Sequence, residues 1–345
     1  MVLRPRGIPI DMTAQSTRNQ EAKEGAGEFE RDVLAGLASP EKFLHFKYFY
    51  DDLGSDLFDQ ICRQPEYYPT RTEAAILQKF APRIAELMQA DEVSIVELGS
   101  GSGTKTKILI HEMVSRKNRI CYFPIDISQK SLTENSAMIR SEFPEIEVVD
   151  IPRDYVHGIR EVNTIISANE VGMPPAKLFL FLGSSIGNFE PRQVVLFLRT
   201  VQENMGPGDM FLVGFDLHKE KRILDAAYND KNGITARFNL NMLERINAEL
   251  QGEFDLSKFT HVAYYNEQMR RIEMHLLSKE DQQVYVGALG RHFRFGKGES
   301  IHTENSYKFE PDQIKKIANE SGFSVKEFFT DSEKWFGLAL LSPTV

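Results

Sequence analysis

Residues 95 to 103 read Ile95-Val96-Glu97-Leu98-Gly99-Ser100-Gly101-Ser102-Gly103, and Thr104-Lys105-Thr106-Lys107-Ile108-Leu109-Ile110-His111 follows at once. An apolar run ends in three glycines at alternate positions and passes into a helical pattern. That is a buried strand, a tight turn and a helix start. Glycine serves where the backbone takes positive φ or approaches a ligand closely. The free N–H groups of the next helix favour a negatively charged group. Taken alone, the turn fits a structural connection equally well, because a single glycine-rich turn is a weak signal.

Working outward, further apolar runs repeat the pattern. Arg119 to Ile127 predicts a second strand, ending at Asp126. An acidic residue there, some 20 to 30 residues after a glycine loop, is placed to bind a ribose diol. It is also placed to cap the segment that starts at Ser128. Glu145 to Ile151 predicts a third strand, with Asp154 and Tyr155 just beyond it. Lys177 to Ser184 predicts a fourth, ending in the turn Gly183-Ser184-Ser185-Ile186-Gly187-Asn188-Phe189, and Asp209 to Asp216 a fifth. Continuous apolar runs suit strands buried on both faces. Strands alternating with helices imply a parallel α/β sheet, whose ligands sit beyond the carboxyl ends of the strands. Gly99 to Gly103, Asp126, Asp154 and the 183–188 turn all fall on that edge.

The flanking regions have other periods. Helices are expected over Glu28–Leu37, from a cap at Ser55, and over Thr72–Gln89, with a proline-bounded loop at Pro65–Arg71 carrying Tyr67 and Tyr68. Leu217 to Leu250 reads as helical, and residues 260 to 304 alternate as antiparallel strands. The end returns to the first pattern, with a helix over Pro311–Ser321 capped by Gly322 and two closing strands.

Composition excludes several classes. The 345 residues carry 50 acidic and 41 basic side chains, a net charge of −9. A non-specific nucleic-acid binder would usually show a basic excess. Two cysteines, Cys62 and Cys121, give no disulfide framework, and the eight histidines show no pairing at metal-ligand spacing. No apolar stretch is long enough to span a bilayer. The expectations are a cytoplasmic monomer with no metal, no nucleic-acid partner and no membrane contact. Residues 1 to 27 are polar and aperiodic, and are expected to form a flexible tail.

The glycine loop, Asp126 and the terminal helix–strand–strand unit resemble a class I S-adenosylmethionine-dependent methyltransferase. A nicotinamide-dependent dehydrogenase would prefer Gly-x-Gly-x-x-Gly, where this chain has Gly-x-Gly-x-Gly. The separated motifs Lys47-Tyr48-Phe49-Tyr50-Asp51, Gly54-Ser55-Asp56-Leu57-Phe58, Pro65-Glu66-Tyr67-Tyr68-Pro69-Thr70-Arg71, Glu97-Leu98-Gly99-Ser100-Gly101, Gly183-Ser184-Ser185-Ile186-Gly187-Asn188-Phe189 and Ile301-His302-Thr303-Glu304-Asn305-Ser306 occur in one order. As a set they resemble the L-histidine Nα-methyltransferases, which make hercynine for ergothioneine biosynthesis. The likeness runs from about residue 28 to the C-terminus. The N-terminal tail and the extra residues between Tyr155 and Lys177 depart from the family pattern.

The resemblance implies a Rossmann-like class I sheet with a second, α+β substrate-binding domain. The methyltransferase domain would comprise residues 71–216 and 309–345, and the substrate domain 28–70 and 217–308. It implies three methyl transfers to the α-amine of L-histidine. The cofactor residues carried over are Gly99, Gly101, Lys105, Asp126, Asp154 and Tyr155. The substrate carboxylate falls to Asn188 and Tyr228, and the imidazole to Glu304, Ser306, Tyr67 and Tyr50, with Met274 lining its pocket. Residue chemistry agrees, since a carboxylate accepts from one ring nitrogen while a hydroxyl donates to the other. No residue stands out as the general base. Two other readings remain: the same fold methylating another aromatic amino acid such as a tryptophan derivative, and a non-catalytic binding protein.

Overall fold

The computed structural model describes residues 27–168, 174 and 176–344. The expected tail lies, but for residue 27, outside the described residues. In chain order, helix α1 covers residues 27–38, followed by β1 (Lys42–Phe43), α2 (Asp52–Cys62) and α3 (Tyr68–Leu87). Then come β2 (Glu92–Leu98), α4 (Thr104–Val114), β3 (Arg119–Ile125), α5 (Gln129–Glu142), β4 (Glu147–Val148) and α6 (Tyr155–Ala168). The alternation continues with β5 (Ala176–Phe181), α7 (Pro191–Gln202) and β6 (Met210–Asp216).

The apolar runs pair as one seven-stranded sheet. Two further strands, β12 (Phe323–Thr330) and β13 (Phe336–Pro343), complete the order β12-β13-β6-β5-β2-β3-β4. The five strands from β6 to β4 are parallel, β13 inserts antiparallel against β6, and β12 pairs antiparallel with β13. This is the class I methyltransferase sheet. Alternate residues feed opposite faces. Val96, Phe123, Phe179 and Phe211 pack on one side, and Ile95, Tyr122, Leu178 and Leu212 on the other.

A third core belongs to the flanking segments. Helices α8 (Lys221–Ala227) and α9 (Ile234–Leu250) precede β7 (Phe259–Asn266), β8 (Arg271–Ser278), β9 (Gln282–Val286), β10 (Arg291–Phe295) and β11 (Ser300–Tyr307). Strands β1-β11-β8-β7 form a four-stranded sheet, and β9 and β10 a separate pair. Val33, Phe49, Leu57, Phe238, Met242 and Leu276 bury together there, with the rings of Phe49 and Phe238 stacked 4.4 Å apart. The last helix, α10 (Pro311–Glu320), returns the chain to the large sheet.

Local chemistry moved several boundaries. The residue capping α2 is Asp51, not Ser55: its Oδ1 accepts from Gly54 N–H at 2.7 Å, and Ser55 lies inside the helix. Helix α3 starts at Tyr68, so part of the expected loop is helical. Pro69 fits its first turn because the N–H that proline lacks has no intrahelical partner there. The expected helix over 217–250 breaks into α8 and α9 at Gly233, which takes φ +69°. The third parallel strand is only two residues long, extended by a bridge between Ile125 and Ile151.

One irregularity aims the second unit at the site. Strand β11 pairs His302 with His275 and then Glu304 with Met274, so Thr303 is an extra residue. Such a bulge bends the strand and re-aims side chains. Thr303 Oγ1 donates to Asn239 Oδ1 at 2.7 Å, with Met274 O 3.1 Å away as a second acceptor within reach of the same proton, which holds it. Glu304, Ser306 and Met274 consequently share the face toward the large sheet's carboxyl edge.

Candidate active site

The glycine turn closes the carboxyl end of β2. Gly99, Gly101 and Gly103 take φ of +73°, +47° and +66°. At Gly103 a Cβ would lie 2.0 Å from Asn135 Oδ1, so a side chain there is excluded. At Gly99 it would lie 3.1 Å from the Tyr155 hydroxyl. Asp126 ties the loop to β3: its Oδ2 accepts from Gly101 N–H and its Oδ1 from Ser128 N–H, each at 2.9 Å. Burial raises this carboxyl above its ordinary range. The cap of α5 is Ser128, whose Oγ accepts from Ser131 N–H. Ser100 Oγ is buried with no hydrogen-bond partner among the described residues.

The other expected cofactor residues line the same cleft. Lys105 Nζ pairs with Glu73 Oε2 at 2.5 Å. Glu73 also accepts from Gly183 N–H at 2.8 Å, which joins the two glycine turns through one buried carboxylate. Asp154 Oδ1 accepts from the N–H groups of Val156 and His157 at the start of α6. Burial pushes the Asp154 carboxyl up, but hydrogen bonds from His157 hold it below its ordinary value.

All seven expected substrate residues, Tyr50, Tyr67, Asn188, Tyr228, Met274, Glu304 and Ser306, line one smaller pocket. Four of them, Tyr50, Tyr67, Asn188 and Glu304, also border the cleft of the glycine loop. The two spaces are thus contiguous. Burial pushes the Glu304 carboxyl up to about 7, against the opposing Lys308 charge and a hydrogen bond from Asn188. Burial also raises the Tyr50 and Tyr67 hydroxyls well above their ordinary value. The Tyr228 hydroxyl donates to Ser306 Oγ at 2.8 Å, which links a residue expected at the carboxylate end to one expected at the ring end.

A sequence comparison decides the family. The family model of histidine-specific, S-adenosylmethionine-dependent methyltransferases matches residues 29–343. The chain belongs to this family. The histidine N-alpha-methyltransferase of Mycolicibacterium smegmatis is 40% identical over 94% of this chain and 98% of its own length. That of Mycobacterium tuberculosis is 39% identical over 90% of this chain and 93% of its own. The L-tryptophan methyltransferase trpM of Psilocybe serbica is 25% identical over 90% of this chain and 91% of its own.

For a histidine-specific methyltransferase, the glycine loop fits the methyl donor. Its positive-φ backbone, crowded at Gly99 and Gly103 and open at Gly101, with the half-buried acid Asp126 and the unpartnered Ser100 Oγ, makes a polar cradle. Among the described residues no group of histidine, cysteine and acidic side chains is arranged to hold a metal, and no helix is long and apolar enough to cross a membrane.

Three groups were missed in the sequence. Glu73 reads as a polar position of an amphipathic helix. Asp216 and Lys308 read as strand-end charges, yet both are buried and paired at 2.8 Å. Tyr68 OH donates to Asp216 at 2.7 Å, and Lys219 meets it at 2.5 Å. The only hint was a charge beside an apolar run at each point where the chain passes between the two units.

Proposed function

We propose that the protein transfers three methyl groups from S-adenosylmethionine to the α-amine of L-histidine, giving hercynine for ergothioneine biosynthesis. One observation carries the reading: Glu304, Ser306 and Met274 share one face of β11 and β8 and line a single pocket with Asn188. A carboxylate, a hydroxyl and a thioether suit a flat ring with one N–H and one bare nitrogen. The relatives support the same reading. Two are named histidine N-alpha-methyltransferase, and the Schizosaccharomyces pombe relative, 26% identical over 80% of this chain, is named ergothioneine biosynthesis protein 1.

Bound S-adenosylmethionine supplies an electrophilic methyl group. The protein's task is alignment. Asn188 offers the substrate carboxylate the amide N–H that Glu304 does not take, while Glu304 and Ser306 hold the ring. The amine is thereby set toward the glycine cleft, and in-line transfer needs the reacting atoms about 3 to 3.5 Å apart. The amine attacks as the neutral base. Tyr50 and Tyr67 remain protonated because burial opposes a phenolate, so they hydrogen-bond or relay a proton and do not act as anionic bases. Anchors on the carboxylate and ring leave the nitrogen free to rotate its substituents between transfers.

The test is incubation of the full chain with S-adenosylmethionine and a panel of free amino acids, read by mass. A gain of three methyl groups on histidine alone is expected. Methylation of tryptophan in preference to histidine would overturn the reading. Glu304→Ala should weaken histidine turnover roughly 10⁴-fold, as a site built to hydrogen-bond a polar group loses that discrimination, while S-adenosylmethionine binding stays near normal.

A further inference from the structure

Under the substrate pocket lies a buried ammonium to which the transfer itself assigns no part. Lys308 follows β11 directly and is 2% exposed. Its Nζ lies 2.8 Å from Asp216 Oδ2, 2.7 Å from Ser306 Oγ and 3.4 Å from the Tyr228 hydroxyl. Burial disfavours its charge, but Asp216 more than compensates, and Lys308 holds its proton more tightly than a free lysine. An ammonium has three donors and no acceptor, whereas a hydroxyl has one donor and two lone pairs.

The direction of the hydrogen bonds follows. Ser306 Oγ receives Lys308 on one lone pair and the Tyr228 hydroxyl, at 2.8 Å, on the other; the single Tyr228 proton is thereby spent, so the substrate carboxylate expected to fall to Asn188 and Tyr228 is left to Asn188. Both acceptor positions are filled from behind. The remaining proton of Ser306 points forward, into the pocket that it lines with Glu304.

We propose that Lys308 is a positioning residue: by filling Ser306 Oγ from beneath, it makes that hydroxyl a one-way donor, so this corner of the pocket takes only a substrate atom that carries a lone pair. The proposal rests on the histidine reading and deepens it. Glu304 accepts an N–H, Ser306 donates to the bare nitrogen, and together they select one tautomer of a neutral imidazole. A ring with N–H at both nitrogens would meet the Ser306 proton head-on. Lys308 touches neither ring nor methyl group; it acts through Ser306.

The experiment measures affinity in the presence of S-adenosylhomocysteine, which prevents turnover. The ligands are L-histidine, the pyrrolylalanines, which keep the N–H and lose the bare nitrogen, and the thiazolylalanines, which keep the bare nitrogen and carry sulfur in place of N–H. Wild type should bind both analogue classes at least about ten-fold more weakly than histidine, because each leaves one buried polar group unpaired. In Lys308→Met the serine hydroxyl is free to turn. The gap to the pyrrolylalanines should then shrink about ten-fold, while the gap to the thiazolylalanines, set by Glu304, stays. In turnover, KM for histidine should rise with KM for S-adenosylmethionine unchanged. Asp216 keeps Lys219 and Tyr68 as partners in this variant.

If Lys308→Met does not fold, Lys308→Gln, polar but carrying an acceptor that lets the Ser306 hydroxyl turn back, gives the deciding measurement, and should shrink the pyrrolylalanine gap alone. Both gaps unmoved, both moving together, or the thiazolylalanine gap closing instead would overturn the proposal. A wild-type protein that binds histidine yet shows no pyrrolylalanine gap overturns it while leaving the function reading intact. A wild type that binds no histidine removes both.

Discussion

Under the proposed function, Glu304 serves recognition at the expense of stability. Its carboxyl is held near 7 by burial, above its ordinary 4.5. A raised carboxyl pKa means that the folded state prefers the proton. The stabilising contribution is full below about 4.5 and is lost as pH rises through about 7. Above that range the ionised form is ready to accept a ring N–H, and the fold carries a partly buried charge. Glu304→Gln has no such charge. Its unfolding free energy should fall less than that of wild type between pH 5 and pH 8, by up to about 2 kcal/mol after allowance for partial exposure. Denaturant titrations at the two pH values measure it, and parallel slopes for the two proteins would refute the burial of this charge. Sequence patterning alone reads Glu304 as a surface charge, because nothing local in Thr303-Glu304-Asn305 reports that a second unit covers it. The resemblance carried by the ordered motifs, not periodicity, singled it out, and it lines the smaller pocket. Glycine loop residues were legible for the opposite reason: Gly99 to Gly103 and Asp126 act within one strand–turn–strand span, and short-range pattern encodes them.

Among the elements, the turn after β5 and strand β11 touch so closely that one atom decides their spacing. A Cβ on Gly187 would lie 2.9 Å from Tyr307 O and 3.3 Å from Tyr307 N. Asn188 is the next residue, and Glu304 and Ser306 lie on the strand that would be displaced. Overpacking of this kind costs about 1 to 3 kcal/mol. Gly187→Ala should therefore raise KM for histidine by about ten-fold or more, with little change in S-adenosylhomocysteine affinity measured by calorimetry. An equal loss for both ligands would show that the glycine cleft and the substrate pocket are not separately adjustable. Element identity was legible from period and punctuation, whereas element ends were not. The start of α3 was hidden because Pro69 reads as a breaker but sits in a first turn, whereas the split between α8 and α9 was written in Asn229-Asp230-Lys231-Asn232-Gly233, a polar cluster ending in a turn dipeptide, which reading 217–250 as one helix passed over.

At the scale of the whole molecule, the chain passes between its two units near Tyr68, Asp216 and Lys308, and all three passages converge on the Asp216 carboxylate. Burial would raise that carboxyl, but Lys219 and Lys308 hold it below its ordinary value. Asp216→Ala leaves two buried ammonium groups without their counter-charge. It should destabilise the protein by about 3 to 5 kcal/mol, seen as a lowered calorimetric Tm. Adding Lys308→Met should recover part of the loss, and strict additivity of the two changes would refute their pairing. This junction was not legible because its members are far apart in sequence and each looks like an ordinary strand-end charge. The Thr303 bulge has a consequence of its own for a protein whose proposed ligand is a histidine. The chain carries eight histidines, and His302 stands two residues before Glu304. In an unbroken strand the two would share a face, and a tethered imidazole would lie beside the carboxylate meant for the free one, at an effective concentration no dissolved amino acid reaches. The extra residue turns His302 to the opposite face, against His275 at 4.9 Å between ring centroids. With the bulge, His302 Nε2 instead lies 3.1 Å from the Glu304 carbonyl oxygen at the rim of the glycine cleft, and the Glu304 carboxylate is left to the free amino acid of the proposed function.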